Sequence, residues 1–377
     1  MRQAVLRSID DIPIDQLSEL EGSRLDFSYG LLRAVEKSLW GELDVNYLAL
    51  YDADTLAGLI PAYTGTNLNI NVLLPKWFQD GFLSIVRLVG SSAKTKVVVA
   101  GSIISDKGWI PTNPKYSTSL VAAEMTDFLT AFSKQQKVKA VMLKDIHESF
   151  PPDGLEEMEK RGYNRLYSLP TVMVNTDFDN FSAYEQSLPK NSRKHARKVL
   201  KAAKRKLAID IVEDYSAMIA DIYPLLRATY RKANYKFDDA TPWFLHEACS
   251  SVEPKSELIA CRNGGRLVGA LVNFFDGDAY MAKRIGIDYT DEMAPLIYTA
   301  LMYRGIERAI ERGCKQLYLG QSTYVPKMRL GGVIENEYFY VKVFDPVLRL
   351  TIPWQKRLSQ AYEAKRVTEM ALQGVSV

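Results

Sequence analysis

Between Leu188 and Leu207 the chain reads LPKNSRKHARKVLKAAKRKL, in which nine positions (190, 193, 194, 197, 198, 201, 204, 205 and 206) are Lys or Arg and none is acidic. At 3.6 residues per turn, Ala196, Val199, Leu200, Ala203 and Leu207 fall on one apolar stripe. Lys190, Arg193, Lys194, Arg197, Lys201, Lys204 and Arg205 cover the remaining surface. A merely solvated helix face ordinarily mixes signs, because like charges one turn apart repel. The run therefore points to an anionic partner. Arg193 and Arg197, four residues apart, can share a phosphate bidentately. Further along, the segment Leu317-YLGQSTYVPKMRLGG carries Gln321, Ser322 and Tyr324, which offer amide and hydroxyl donors. The Tyr324 hydroxyl can give up a proton, and Gly331-Gly332 permits a tight turn close to a ligand.

Other chemistries find no footing. His147, His195 and His246 form no ligating or triad spacing, and Cys249, Cys261 and Cys314 are too few and too scattered for a zinc site or disulfide framework. No metal site is expected. Cys261 and Cys314 read as small apolar strand residues. There is no phosphate-binding loop and no nucleophile elbow, so no covalent enzyme intermediate is expected. With 377 residues, 47% hydrophobic and 25% charged, the chain has an ordinary globular composition with enough length for two cores. No apolar stretch reaches membrane-span length and the N-terminus lacks a signal core, so a cytoplasmic protein is expected. Net charge is +3 (48 basic, 45 acidic); without the nine cations above, the rest is slightly acidic.

The elements that must position these residues occur twice. Tyr47-LALYDADTLAGLIPAY and Leu258-IACRNGGRLVGALVNFF superpose without a gap, matching Ala49 with Ala260, Leu56 with Leu267 and Gly58 with Gly269. Both read as β-hairpins. Each is preceded by a helical stretch (Leu17 to Trp40; Tyr215 to Tyr235). Each is followed by an amphipathic helix (from Tyr116; from Ala294) and a short strand (from Val138; from Cys314). The pattern is α+β with two mixed sheets. Expected domains are 1–180, a degenerate structural or acceptor-side half, and 181–350, a catalytic half opening with the basic helix. Residues 351–377 form a terminal helix packing on the second half.

Two such halves, the Lys-Asn-x-Arg-Lys-x-x-Arg-Lys run, the Leu-Val-Gly-Ala hairpin and the Leu-Gly-x-x-x-Tyr-x-x-Lys-x-x-x-Gly stretch resemble the GCN5-related N-acetyltransferase (GNAT) superfamily. Within it the likeness is to double-domain FemABX-like and BioF2-like acyltransferases. The resemblance implies two tandem GNAT-like domains and transfer of an activated acyl or aminoacyl group to an amine. It implies no tightly bound cofactor, the donor being a co-substrate: aminoacyl-tRNA, acyl-carrier protein or acyl-CoA. The donor arm would insert where Asp278-AYMAKRIGI and Lys315-QLYLG splay apart, with the helix starting near Tyr289–Pro295 offering its N-terminus to a phosphate.

Lys327, seven residues after Gly320, would lie at the cleft and stabilise the oxyanion; an exposed loop charge is the alternative. Arg284, Tyr289 and Thr290 would serve the donor, although only one of Lys283 and Arg284 can face the cavity on a regular strand. Tyr230, Arg231, Tyr235 and Asp238, with Asp239, would shape an acceptor pocket. One departure stands out. Coenzyme-A-using relatives carry a glycine-rich loop where this chain has Gly286-IDYTDEMAP, with Asp288, Asp291 and Glu292. That favours aminoacyl-tRNA over coenzyme A. The competing function is a silent module that docks nucleic acid or an acidic carrier through the basic helix.

Overall fold

The computed structural model describes residues 1–21, 25–38, 43–65, 96–105, 107–233, 241–250 and 255–372. Two compact units divide the chain: Met1–Pro170 with Glu335–Val377, and Thr171–Ile334.

The first unit holds a seven-stranded sheet in the order β1 (Arg2–Leu6), β2 (Leu43–Asp52), β3 (Thr55–Gly65), β4 (Val97–Ala100), β5 (Ala140–His147), β14 (Glu337–Val343), β6 (Asn164–Tyr167). All neighbouring pairs are antiparallel except β4 and β5. Helix α1 (Tyr29–Ser38) falls within the expected 17–40 stretch, and α2 (Thr118–Gln135) starts at Ser117, whose Oγ accepts from Leu120 N–H. Helix α3 (Pro152–Lys160) follows β5.

The second unit repeats the plan in the order β8 (Ala208–Val212), β9 (Lys255–Asn263), β10 (Arg266–Asp276), β11 (Ala279–Ile287), β12 (Gln316–Gly320), β7 (Thr171–Asn175), β13 (Gly332–Glu335), again with one parallel pair, β11 with β12, among those whose direction is defined. Its helices are α4 (Phe181–Ser187), α5 (Lys190–Lys206), α6 (Ile219–Lys232), α7 (Pro242–Ser250), α8 (Ala294–Glu311) and α9 (Tyr324–Arg329). The apolar stripe of α5 is buried as its periodicity predicts, with Ala196, Val199, Ala203 and Leu207 in one core with Ile259, Leu271, Ile297 and Leu301.

The aligned glycines have a packing reason. A Cβ on Gly58 would stand 2.5 Å from Val121 of α2, and one on Gly269 would stand 2.5 Å from Ile297 of α8. Each hairpin needs a bare backbone where its helix crosses it.

The domain limits differ from the expected 1–180 and 181–350. Strand β7 precedes residue 180 yet sits between β12 and β13, while β14 follows β13 yet sits between β5 and β6. Each sheet thus completes itself with a strand from beyond the expected boundary. The terminal helix, α10 (Ile352–Leu372), belongs to the first unit rather than the second. Ser359 Oγ accepts the Tyr167 N–H of β6, and Tyr338 Oη donates to Glu363 at 2.9 Å.

Candidate active site of the second unit

Strands β11 and β12 pair only at Ala279–Gln316, Tyr280–Leu317 and Met281–Tyr318. Beyond that point each carries an irregularity. Val272 faces Arg284 and Asn273 faces Ala282, leaving Lys283 as an extra residue on β11. Tyr318 faces Met173 and Gly320 faces Val172, leaving Leu319 extra on β12. Bulges bend a strand and raise its twist, so the two parallel strands part. Among the described residues, no strand pairs with the β12-side edge of Ala282–Ile287. The bulge also breaks the two-residue alternation assumed for this strand: Lys283 is buried and Arg284 half-buried, with Arg284 Nη1 donating to Lys283 O at 3.2 Å. In the first unit the parallel pair is β4 and β5, and the part of β5 that runs beyond β4 is covered by the chain itself. Gly108 bridges Ile146, and Gly108 O accepts His147 N–H at 3.1 Å.

Just past the end of β12, Ser322 (φ 67°) and Thr323 (φ 52°) adopt left-handed backbone conformations that cost a side-chain-bearing residue about 1–2 kcal/mol each. Lys327 holds this turn. Its side chain is buried, and Nζ donates to Gly320 O at 2.8 Å and to Gln321 O at 3.0 Å. The structure thus decides against an exposed loop charge. Tyr324 opens α9 half-buried against the core, with Gln321 and Ser322 half-buried beside it. Gly332 needs no ligand to explain it: a Cβ there would stand 2.6 Å from Val172 and 2.8 Å from Lys327 O.

The α8 N-terminus differs from the expectation of donors awaiting a phosphate. Met293 N–H donates to Asp291 Oδ1 at 2.9 Å and Ala294 N–H to Asp291 O at 3.0 Å. Pro295 has no N–H, and Leu296 and Ile297 both donate to Met293 O. Asp291 also accepts from Arg266 Nη2 at 2.9 Å and Asn263 Nδ2 at 3.2 Å. Asp288 pairs with Arg266 and accepts from Thr290 N–H and Oγ1. The Thr290 hydrogen bonds, aided by Arg266, hold Asp288 below its ordinary pKa despite burial. Thr290 is therefore a turn residue. Tyr289 is more than a third exposed, with Lys232 Nζ 4.0 Å from its ring centre. Arg266 and Asn263 escaped the sequence reading. Their signal lies in the β10–β11 register, which pairs Gly269 with Ile287 and so carries the hairpin turn alongside residues 288–291.

On α5 the two arginines chosen for a phosphate are already engaged. Arg193 Nη2 donates to Gln186 O at 2.7 Å and Leu188 O at 3.0 Å, and Arg197 Nε meets Glu185 Oε1 at 2.6 Å. They lock α5 to α4. Among the exposed cations, Lys190, Lys194, Lys198, Lys201 and Arg205 make no hydrogen bond or ion pair with a described residue and lie within roughly 80° of arc. Lys206, at the end of α5, reaches Met293 Sδ at 3.9 Å.

Tyr230 and Arg231 lie in the last turn of α6, Tyr230 half-buried with the Arg227 guanidinium 5.7 Å from its ring centre, and Arg231 exposed. The α6 end meets the β11–α8 loop, where Ile287 N–H donates to Thr229 Oγ1 at 3.1 Å. Tyr235, Asp238 and Asp239 lie outside the described residues. Among the described residues no group of three His, Cys, Asp or Glu could hold a metal ion, and no helix is long and apolar enough to cross a membrane.

Residues 189–328 match the acetyltransferase (GNAT) domain family. In fold the chain is similar to FemX, with 10% identity over 93% of this chain and 100% of that one, TM-score 0.63. It is also similar to L-PGS from Bacillus licheniformis, with 12% identity over 91% and 95% of the two chains, TM-score 0.55. A tandem GNAT protein from the clavulanic acid biosynthesis pathway gives 8% identity over 92% and 99%, TM-score 0.50. No curated protein matches the chain in sequence. Residues 189–328 thus match a GNAT domain, and the chain as a whole is similar in fold to FemX and to a tandem GNAT protein.

Proposed function

We propose that this protein is an N-acyltransferase whose second unit joins an activated aminoacyl or acyl group to an amine by direct attack. The parting of β11 and β12 beyond Met281 and Tyr318 carries this reading. It leaves a strand edge whose N–H and C=O groups can hydrogen-bond the donor end, whether the ester carbonyl and amine of an aminoacyl group or the amides of a carrier arm. In the reaction the amine nitrogen attacks the acyl carbonyl carbon. The carbon–oxygen or carbon–sulfur bond to the carrier then breaks, and the amine gives up a proton as the carrier leaves. Orientation and polarisation of the carbonyl supply most of the acceleration. Lys327, Gln321, Ser322 and Tyr324 are the candidates, Lys327 as the positioning residue that sets the turn carrying the other three.

Among donors, aminoacyl-tRNA suits the chain best. The exposed stripe of α5 offers Lys190, Lys194, Lys198, Lys201 and Arg205 to a phosphate backbone, while the α8 N-terminus is filled by carboxylate. We assign Tyr230, Arg231, Tyr235 and Asp238 to the amine side, with Arg284 and Tyr289 on the donor side. The first unit is assigned a supporting role, because the part of β5 beyond its parallel partner β4 is covered by its own chain. No tightly bound cofactor enters this reading.

The test offers the full chain charged tRNA, acyl-carrier protein and acyl-CoA with a panel of amines, and reads amide products by mass spectrometry. Transfer from charged tRNA is expected. Efficient transfer from acyl-CoA alone would overturn the donor assignment, and no product from any donor would overturn the activity.

A further inference from the structure

Asp291 is surrounded as a bound anion would be. Its carboxylate is 4% exposed and receives three donors of different origin: the Met293 N–H at the start of α8, the Asn263 amide and the Arg266 guanidinium. Asp288 supplies a second carboxylate to the same guanidinium. A helix N-terminus with a converging arginine and amide is a ready anion site; here the chain fills it from within. The surroundings are cationic as well, with Lys206 reaching Met293 and Lys232 lying over Tyr289. Both are exposed. The arrangement has the donors for a pyrophosphate and no vacancy for one.

We propose that Asp291, with Asp288 beside it, is a built-in anion that closes this pocket to pyrophosphate-bearing donors, making the two carboxylates specificity-determining residues of the second unit. The inference rests on the reading of this unit as an acyltransferase, and it names the donor class that the unit refuses. Its physical content is a competition. An incoming pyrophosphate must displace a tethered carboxylate at very high effective concentration and then sit beside the displaced charge.

The experiment measures binding of inorganic pyrophosphate and of coenzyme A by calorimetry at low ionic strength, using the full chain. The variant D288N/D291N keeps the shape and one oxygen acceptor on each side chain while removing both charges. It is expected to bind pyrophosphate roughly tenfold or more tightly than the unsubstituted chain. Adding R266A to it should abolish the gain. Asp291→Asn alone leaves the Asp288–Arg266 pair and the Asp288–Thr290 turn in place, and it carries the test if the double variant melts early by circular dichroism. Equal affinity in substituted and unsubstituted chains overturns the proposal, as does a gain that survives loss of Arg266. Transfer from charged tRNA is assayed on the same preparations. A gain in pyrophosphate binding without any transfer defeats the donor reading and leaves the plug standing; transfer without a gain does the reverse.

Discussion

At the scale of single residues, Lys327 is where chemistry and structure are hardest to separate. The family resemblance marks it in the sequence, seven residues after Gly320, but an unpartnered cleft lysine would be removable without harm to the fold. Its bonds to Gly320 O and Gln321 O say otherwise. Lys327→Ala leaves two carbonyls short of a donor in a buried turn, so a loss of about 1–3 kcal/mol is expected in urea unfolding. If the turn also sets the catalytic geometry, kcat falls about a hundredfold with the donor KM little changed. A variant that loses stability but keeps kcat would confine Lys327 to the fold. Arg193 and Arg197 teach the same lesson in reverse: their i,i+4 spacing was legible, yet carbonyls and a carboxylate from α4 had already claimed them.

At the scale of elements, β9 is pinned to the C-terminal end of α8 by Glu257, which is fully buried and bonded to Arg308, Arg312 and Tyr280. Burial pushes its pKa up, but the bonds from Arg312, Arg308 and Tyr280 outweigh that and hold it below 4.5. A depressed carboxylate stabilises the fold above its unfolded-state pKa, and that stability is lost as pH falls through the folded-state value. Glu257→Gln should therefore cost about 1.5–3 kcal/mol near neutrality, because Arg308 and Arg312 lose their buried carboxylate and keep only Glu311 and Glu213. It should also flatten the acid limb of stability below pH 4.5, as checked by urea titrations across that range. Helix α5 makes a separate prediction. Reversing Lys194, Lys198 and Lys201 to Glu should weaken charged-tRNA binding and lower its salt slope by about 0.7–0.9 for each phosphate no longer neutralised. Affinity indifferent to both salt and these charges would return the stripe to a plain solvated face.

At the scale of the molecule, the two sheets share a strand order, but neither fits a cut at residue 180: the first draws β14 from beyond β13, and the second, continuous from Thr171, draws β7 from before the cut. Residues 1–180 alone lack β14, leaving facing edges of β5 and β6 without their partner; residues 181–377 alone lack β7. Open central edges template aggregation. Each fragment expressed alone is expected to aggregate or remain unfolded, judged by size-exclusion chromatography and circular dichroism. A soluble, cooperatively melting 181–377 fragment would show that β7 is dispensable.

The repeat, the hairpins, the helices after them and the basic helix were all legible in the sequence, because periodicity and hairpin chemistry act over a dozen residues. So was the conflict between acids and phosphate at Asp288 and Asp291. Tertiary structure alone decided the rest. Which strand fills each sheet, which cations on α5 stay exposed, where Lys327 sends its ammonium and which arginine answers Asp291 all depend on groups far apart in the chain. Register and packing bring those groups together; no local pattern encodes the meeting.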